Sequence, residues 1–146
     1  MPTAAKLVAA LFFGGLSYAV ALRVAGGLPP EERIGLFREV MAVIGAACGW
    51  FVMGPRAGMA ARAALGWGLT TAAAVAFWGV VFVAVSDMLE AALRKSYRGL
   101  FSAIEGMLEF AGERAAVLLQ PDTGGLLIVG GLAGGLIAHA AARVWR

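Results

Sequence analysis

The chain has 146 residues, enough for a single domain, and a net charge of +3 at pH 7. Hydrophobic residues make up 61% of it and charged residues only 14%, whereas soluble domains average about 45–50% and about 25%. A globule of this size has too little interior to bury so much apolar surface, which excludes a soluble fold. The basic residues are scattered rather than gathered on one helix face, which argues against nucleic acid as a partner.

The first hydrophobic run predicts a transmembrane helix over residues 4–25. Crossing about 30 Å of hydrocarbon takes roughly 20 mostly apolar residues, and this run lies between Lys6 and Arg23. The Gly-Gly-Leu-Pro-Pro stretch at 26–30 ends it. A secretory signal peptide has a similar basic start and apolar centre, but three further hydrophobic runs follow, which favours a membrane span.

The second run predicts a span over residues 36–53 and is the shortest of the four. Its apolar part begins only at Val40, so the span must include Arg38 and Glu39 near the membrane interface, where long charged side chains reach the headgroups. The third run predicts a span over 60–85. Its two threonines, Thr70 and Thr71, are expected to donate to carbonyls one turn earlier.

A segment of different character, 87–120, precedes the fourth run. Its apolar residues recur at helical spacing, with acidic and basic residues on the other face, which predicts an amphipathic helix at the membrane surface or over the bundle. Sequences resembling capping boxes start at Asp87 and Ser102, so two short helices broken near Gly99 are the alternative. The fourth span is predicted over 123–143.

These elements predict an all-α integral membrane protein: a four-helix transmembrane bundle with an interfacial helix, or two short ones, between the third and fourth spans. Four spans place both termini and the loop around residue 56 on one side. That side carries five basic residues and no acidic one: Lys6, Arg56, Arg62, Arg143 and Arg146. By the positive-inside rule we expect it to face the cytoplasm, because the basic residues of the other side are crowded with carboxylates.

Small residues at a spacing of four are typical of helix-packing faces, since they let two backbones approach closely. Such pairs occur in the second and fourth runs as Gly45 with Gly49, Gly130 with Gly134, and Gly131 with Gly135. Packing within the chain and a homodimer formed through the fourth helix both remain open. The lipid bilayer is the expected partner in either case.

Four residues offer functional alternatives. Arg56 and Arg62 flank a tight turn before the third span, where they either set topology or contact an anion at the helix N-terminus. His139 is an ionisable residue within the fourth span, either functional or simply interfacial. Cys48 is either a small buried hydrophobe or a reactive thiol.

No enzyme is expected, and no cofactor or metal. The single histidine lies at the end of a span, so no serine, histidine and carboxylate can be assembled into a nucleophilic site. No metal-ligand spacing such as Cys-x-x-Cys or His-Glu-x-x-His occurs. No pair of carboxylates lies within a span as a proton relay requires.

Several stretches of the chain are similar to the TrgA family of small bacterial membrane proteins associated with tellurite resistance. They are Met-Pro-Thr-Ala-Ala-Lys-Leu-Val-Ala-Ala at 1–10, Gly-Trp-Phe-Val-Met-Gly-Pro-Arg-Ala-Gly at 49–58, Gly-Leu-Thr-Thr at 68–71, Phe-Trp at 77–78, Leu-Arg-Lys-Ser-Tyr-Arg-Gly at 93–99 and Val-Trp-Arg at 144–146. The resemblance covers nearly the whole chain. It implies a multi-pass protein of the bacterial inner membrane that contributes to tellurite resistance, and it brings no established active site.

Two functions therefore remain open. The first is a resistance protein that moves or excludes tellurite, or protects the membrane from it. Few polar residues lie in the spans, which argues against a transporter that works as a monomer. The second is an accessory or assembly subunit of a larger membrane complex, to which four glycine-rich spans and an amphipathic helix are suited.

Overall fold

The computed structural model describes residues 2–27, 36–93, 100–118 and 120–145, and these are almost entirely helical, with no strand among them. The α-helices are α1 (Pro2–Gly27), α2 (Phe37–Cys48), α3 (Ala61–Leu93), α4 (Leu100–Leu118) and α5 (Pro121–Val144). A π-helical turn (Gly49–Met53) and a 3-10 turn (Gly54–Arg56) continue α2 towards α3.

Within the described ranges, four helical segments are long and apolar enough to cross a membrane. They are Ala4–Ala25, Phe37–Arg56, Ala61–Glu90 and Pro121–Val144. They correspond to the four predicted runs, so the prediction of an all-helical chain with four candidate spans is confirmed. The second run, which looked short in the sequence, reaches 20 residues because the π and 3-10 turns extend α2 without a break.

The four candidate spans form an antiparallel bundle in which α1 packs between α2 and α5, and α5 packs between α1 and α3. The side closed by α2 and α3 has fewer contacts, and α4 lies along α3. The largest fully buried side chains come from three of the spans: Phe13 and Val20 of α1, Met53 after α2, and Val75 of α3. Leu127 and Ala138 of α5 belong to the same buried cluster, so all four spans contribute to the core.

Glycines let α5 approach two helices at once. Gly130 and Gly134 face large side chains of α1, whereas Gly131 and Gly135 face the backbone of α3. A methyl group added to Gly68 of α3 would lie 2.9 Å from the Cα of Gly135 and closer still to the carbonyl oxygen of Gly131, so no side chain fits there. Both faces are thus occupied within the chain, and a homodimer built on these glycines would have to displace α1 or α3.

The glycine pair of the second run faces α1. The space that a Cβ would need at Gly45 is filled by the backbone oxygen of Phe13 and the hydroxyl of Ser17, and at Gly49 by the backbone of Ala9. Helix α1 therefore meets α2 and α5 on different sides, each time through glycines of the partner helix.

Helix α3 extends further than the sequence predicts. A boundary was expected at Ser86, with a new helix starting at Asp87, but α3 runs unbroken through both residues to Leu93. Ser86 does not end the helix because its hydroxyl donates to the carbonyl of Phe82 at 2.9 Å, within the same helix. The predicted break near Gly99 lies outside the described residues.

The predicted threonine hydrogen bonds are confirmed. Thr70 Oγ1 donates to the Gly66 carbonyl at 3.0 Å, and Thr71 Oγ1 donates to the Trp67 carbonyl at 2.7 Å. Thr71 is fully buried, so this bond within α3 satisfies a hydroxyl that has no access to solvent.

Candidate functional site

The turn that joins the second and third candidate spans begins with an irregular helix end. Pro55 has no N–H, and in a regular α-helix its ring would collide with the carbonyl four residues earlier. The chain widens into a π turn over Gly49–Met53 and then tightens into the 3-10 turn Gly54–Arg56. π turns inside helices occur frequently at functional sites, which directs attention to the residues around this one.

Arg56 makes two contacts at this helix end. Its Cζ lies 3.9 Å from the centroid of the Trp67 ring, so the guanidinium face stacks on the indole. Its Nη1 donates to the Val52 carbonyl at 2.9 Å, which satisfies an oxygen near the end of the helix, where no further turn supplies an N–H. The side chain is half-buried. Stacking uses the guanidinium face and leaves the remaining N–H donors pointing outward in its plane.

Two further helices contact the same turn. The stem of Lys6 on α1 packs against Gly54, where a Cβ would lie 2.6 Å from its Cγ. His139 on α5 donates from Nδ1 to the Ala57 carbonyl at 3.3 Å, since a carbonyl oxygen only accepts. His139 thus links α5 to the turn. We call the end of the bundle formed by Lys6, Arg56, Arg62, His139 and Arg143 the basic end.

Arg62 does not join Arg56. It lies five residues before Trp67 on α3, about 140° around the helix axis from it, and it is exposed. The two arginines predicted as an anion contact therefore point in different directions. Of the described residues at the basic end, none is acidic; the acidic residues within the described ranges lie near the opposite end or on α4.

The interior of the bundle is apolar. Its buried polar side chains are Ser17, Thr71 and Thr123, and the Ser17 hydroxyl has no hydrogen-bond partner within the part of the chain that the structure describes. Cys48 is buried and is not in a disulfide. Across the described ranges there is no group of three His, Cys, Asp or Glu residues that could hold a metal ion.

An apolar groove of about 450 Å³ lies between α3, α4 and α5. Its lining includes Leu69 and Phe77 of α3, Ala115 of α4, and Leu127 and Ile128 of α5. It contains no arrangement of polar groups that could bind a small polar substrate. The basic end is therefore the part of the described structure with the most distinctive chemistry.

The chain matches no protein-family model, no curated protein and no solved structure. The site thus has to be interpreted from its own geometry.

Sequence reasoning selected Arg56 and His139 but missed what they contact. Nothing in the spacing between Arg56 and Trp67 predicts that their side chains stack. Lys6 was counted only as a topology signal. Each contact crosses between helices, so periodicity within one helix could not reveal it.

Proposed function

We propose that the chain is a multi-pass protein of the bacterial inner membrane, with both termini in the cytoplasm, that contributes to tellurite resistance. The membrane location is supported by the four candidate spans and by the apolar side chains that face outward from them. Leu11, Phe51, Phe77 and Val129, one from each span, are all more than 60% exposed. Such a surface suits lipid and is poorly suited to water.

The observation that carries the resistance proposal is spatial. Parts of the chain that resemble the TrgA family lie far apart in the sequence but meet at the basic end. Lys6 from the opening stretch packs on Gly54, and Arg56 of the Gly-Pro-Arg-Ala-Gly turn stacks on Trp67, next to the Gly-Leu-Thr-Thr stretch at 68–71. Three of the stretches that resemble the family therefore lie together at the basic end.

The chemistry of that surface suits an oxyanion. Tellurite carries two negative charges on oxygen, and an arginine donates several hydrogen bonds in a fixed plane to such groups. Arg56 is pre-positioned by Trp67 and by the Val52 carbonyl. Because the bundle interior is apolar among the described residues, we place the contact at the membrane surface rather than along a path through the bundle.

Complementation of a gene deletion tests this proposal. Deletion is expected to lower the tellurite concentration that the host tolerates, and a wild-type copy should restore it. Arg56→Ala should restore it poorly, because the pre-positioned donors are gone. Arg62→Ala is the matched control: it removes an equal charge from the same end but leaves the stack intact, and it should restore tolerance. Membrane levels of each variant must be equal by immunoblot. If deletion changes nothing, the resistance role is wrong.

A second candidate function, an accessory subunit of a larger membrane complex, is favoured by α4. This helix exposes three large apolar side chains at helical spacing, Phe101, Ile104 and Leu108, of which Phe101 is 89% exposed. Helix α3 is about 50 Å long, so its last turns and the start of α4 extend beyond about 30 Å of hydrocarbon. Phe101, in the first turn of α4, lies in that position, and an exposed apolar side chain outside the hydrocarbon is typical of a surface that binds another protein.

Site-specific crosslinking tests the subunit role. A photoreactive amino acid at Phe101 should give one discrete crosslinked band in intact cells, because an apolar face with a dedicated partner is covered most of the time. The same amino acid at Val129, an exposed position in the middle of α5, is the control and should give only lipid adducts. No band at Phe101, or the same bands at both positions, would rule out a dedicated partner on α4.

A further inference from the structure

We propose that the basic end binds the phosphodiester headgroup of an anionic phospholipid, held by Arg56 on its Trp67 platform together with Lys6. This inference rests on the proposed membrane location but not on the role in tellurite resistance. It assigns a resident ligand to the surface at which that role is placed.

The Arg56 side chain is held in place by two contacts. The guanidinium of Arg56 is held against the Trp67 ring at 3.9 Å and anchored by its bond to Val52. A stacked guanidinium presents the edges of its plane, and edge-on donation to two oxygens is how arginine recognises a phosphodiester. Fixing the side chain beforehand lowers the entropy cost of binding.

Trp67 lies six residues into α3, about 9 Å along the helix axis from Ala61, where the third candidate span begins. In the proposed membrane location this puts Trp67, and the arginine stacked on it, near the membrane surface, where tryptophan is enriched at the headgroup level. Lys6 is half-buried with its stem on Gly54, and a lysine that packs its stem in this way can extend its ammonium to the headgroups.

None of the described residues at the basic end is acidic, so no acidic side chain among them competes for these cations. A lipid phosphate is present at this surface at a high effective concentration, whereas a dissolved oxyanion must be captured from the bulk. Anionic lipid is therefore the occupant that the geometry favours in the resting membrane.

Native mass spectrometry of the full-length protein in detergent tests the proposal. Phosphatidylglycerol and phosphatidylcholine with identical acyl chains would each be titrated into the protein. In parallel, phosphatidylglycerol binding would be measured in nanodiscs at about 0.5 M NaCl, because salt at this concentration screens diffuse charge attraction. We expect phosphatidylglycerol to bind about tenfold more tightly than phosphatidylcholine. Arg56→Gln should abolish most of that preference, while the matched control Arg62→Gln should change it less than about threefold.

A second variant and a soluble competitor distinguish loss of the binding site from loss of folding or from binding of any anion. If Arg56→Gln lowers the thermal stability measured by circular dichroism, Arg56→Lys replaces it; that variant keeps the charge but loses the planar donors, and it should still lose several-fold in affinity. Inorganic phosphate serves as a soluble competitor and should not displace the lipid at about 10 mM.

Equal losses in the Arg56 and Arg62 variants, no preference for phosphatidylglycerol, or displacement by inorganic phosphate would each overturn the proposal. These failures differ from failure of the proposed membrane location, which would appear earlier as a chain that does not insert into lipid bilayers.

Discussion

At the scale of single residues, two glycines only two positions apart on α3 have opposite environments. Gly68 faces α5, where an added Cβ would meet the backbone of Gly131 and Gly135. Gly66 has nothing within 4 Å of the corresponding position. Backbone atoms cannot move aside as a flexible side chain can, so Gly68 is required by a close approach of two helices and Gly66 is not.

This pair gives a prediction with opposite signs. Gly68→Ala should destabilise the protein by about 1–3 kcal/mol, because α3 and α5 must separate to admit the methyl group. Gly66→Ala should leave stability unchanged or raise it by up to about 1 kcal/mol, because alanine favours a helix over glycine. Reversible unfolding in mixed micelles, followed by circular dichroism, measures both. Equal effects of the two substitutions would show that α3 and α5 do not pack through Gly68.

At the scale of helices, the sequence predicts which segments form helices better than it predicts where those helices end. Long charge-free runs and Gly-Pro breaks locate the four candidate spans, because the cost of placing charge in hydrocarbon makes such runs conspicuous. The threonine bonds of α3 were also predictable, since they depend only on residues one turn apart.

The end of α3 and the winding of the chain after α2 were not predictable from the sequence. At Ser86 a polar residue resembles a helix stop, but its hydroxyl bonds within the helix and the helix continues. Over Gly49–Met53 the helix widens into a π turn, where α1 packs against Gly49 and Pro55 follows. In both places the outcome depends on local geometry and tertiary contacts. The same holds for the Arg56–Trp67 stack, which joins two different helices.

At the scale of the whole molecule, the antiparallel bundle places the basic end and the far end of α3 on opposite sides. Met59 lies in the turn beside Arg56, and Leu93 ends α3; both side chains are exposed. About 50 Å of helix axis separates the two ends of α3, more than the hydrocarbon thickness, so the two sites should be reachable from different compartments.

Cysteine labelling tests this arrangement and the proposed orientation together. In a Cys48→Ala background, Leu93→Cys should react with a membrane-impermeant maleimide in intact cells, because we place it in the periplasm. Met59→Cys should react only after the inner membrane is opened. Labelling of both positions from outside would contradict a transmembrane α3. The reverse pattern would keep the four spans but invert the topology.

The π turn at Gly49–Met53 also has a rotational consequence. A π turn takes up roughly one residue more than an α turn, and one residue corresponds to about 100° of rotation about the helix axis. The π turn therefore changes the direction, around the helix axis, in which the side chains that follow it point, including that of Arg56. The 3-10 turn Gly54–Arg56 then winds more tightly, at about three residues per turn, and takes back part of that rotation before Arg56. Arg56 supplies the positive charge, but the local winding of the backbone determines which way its side chain points.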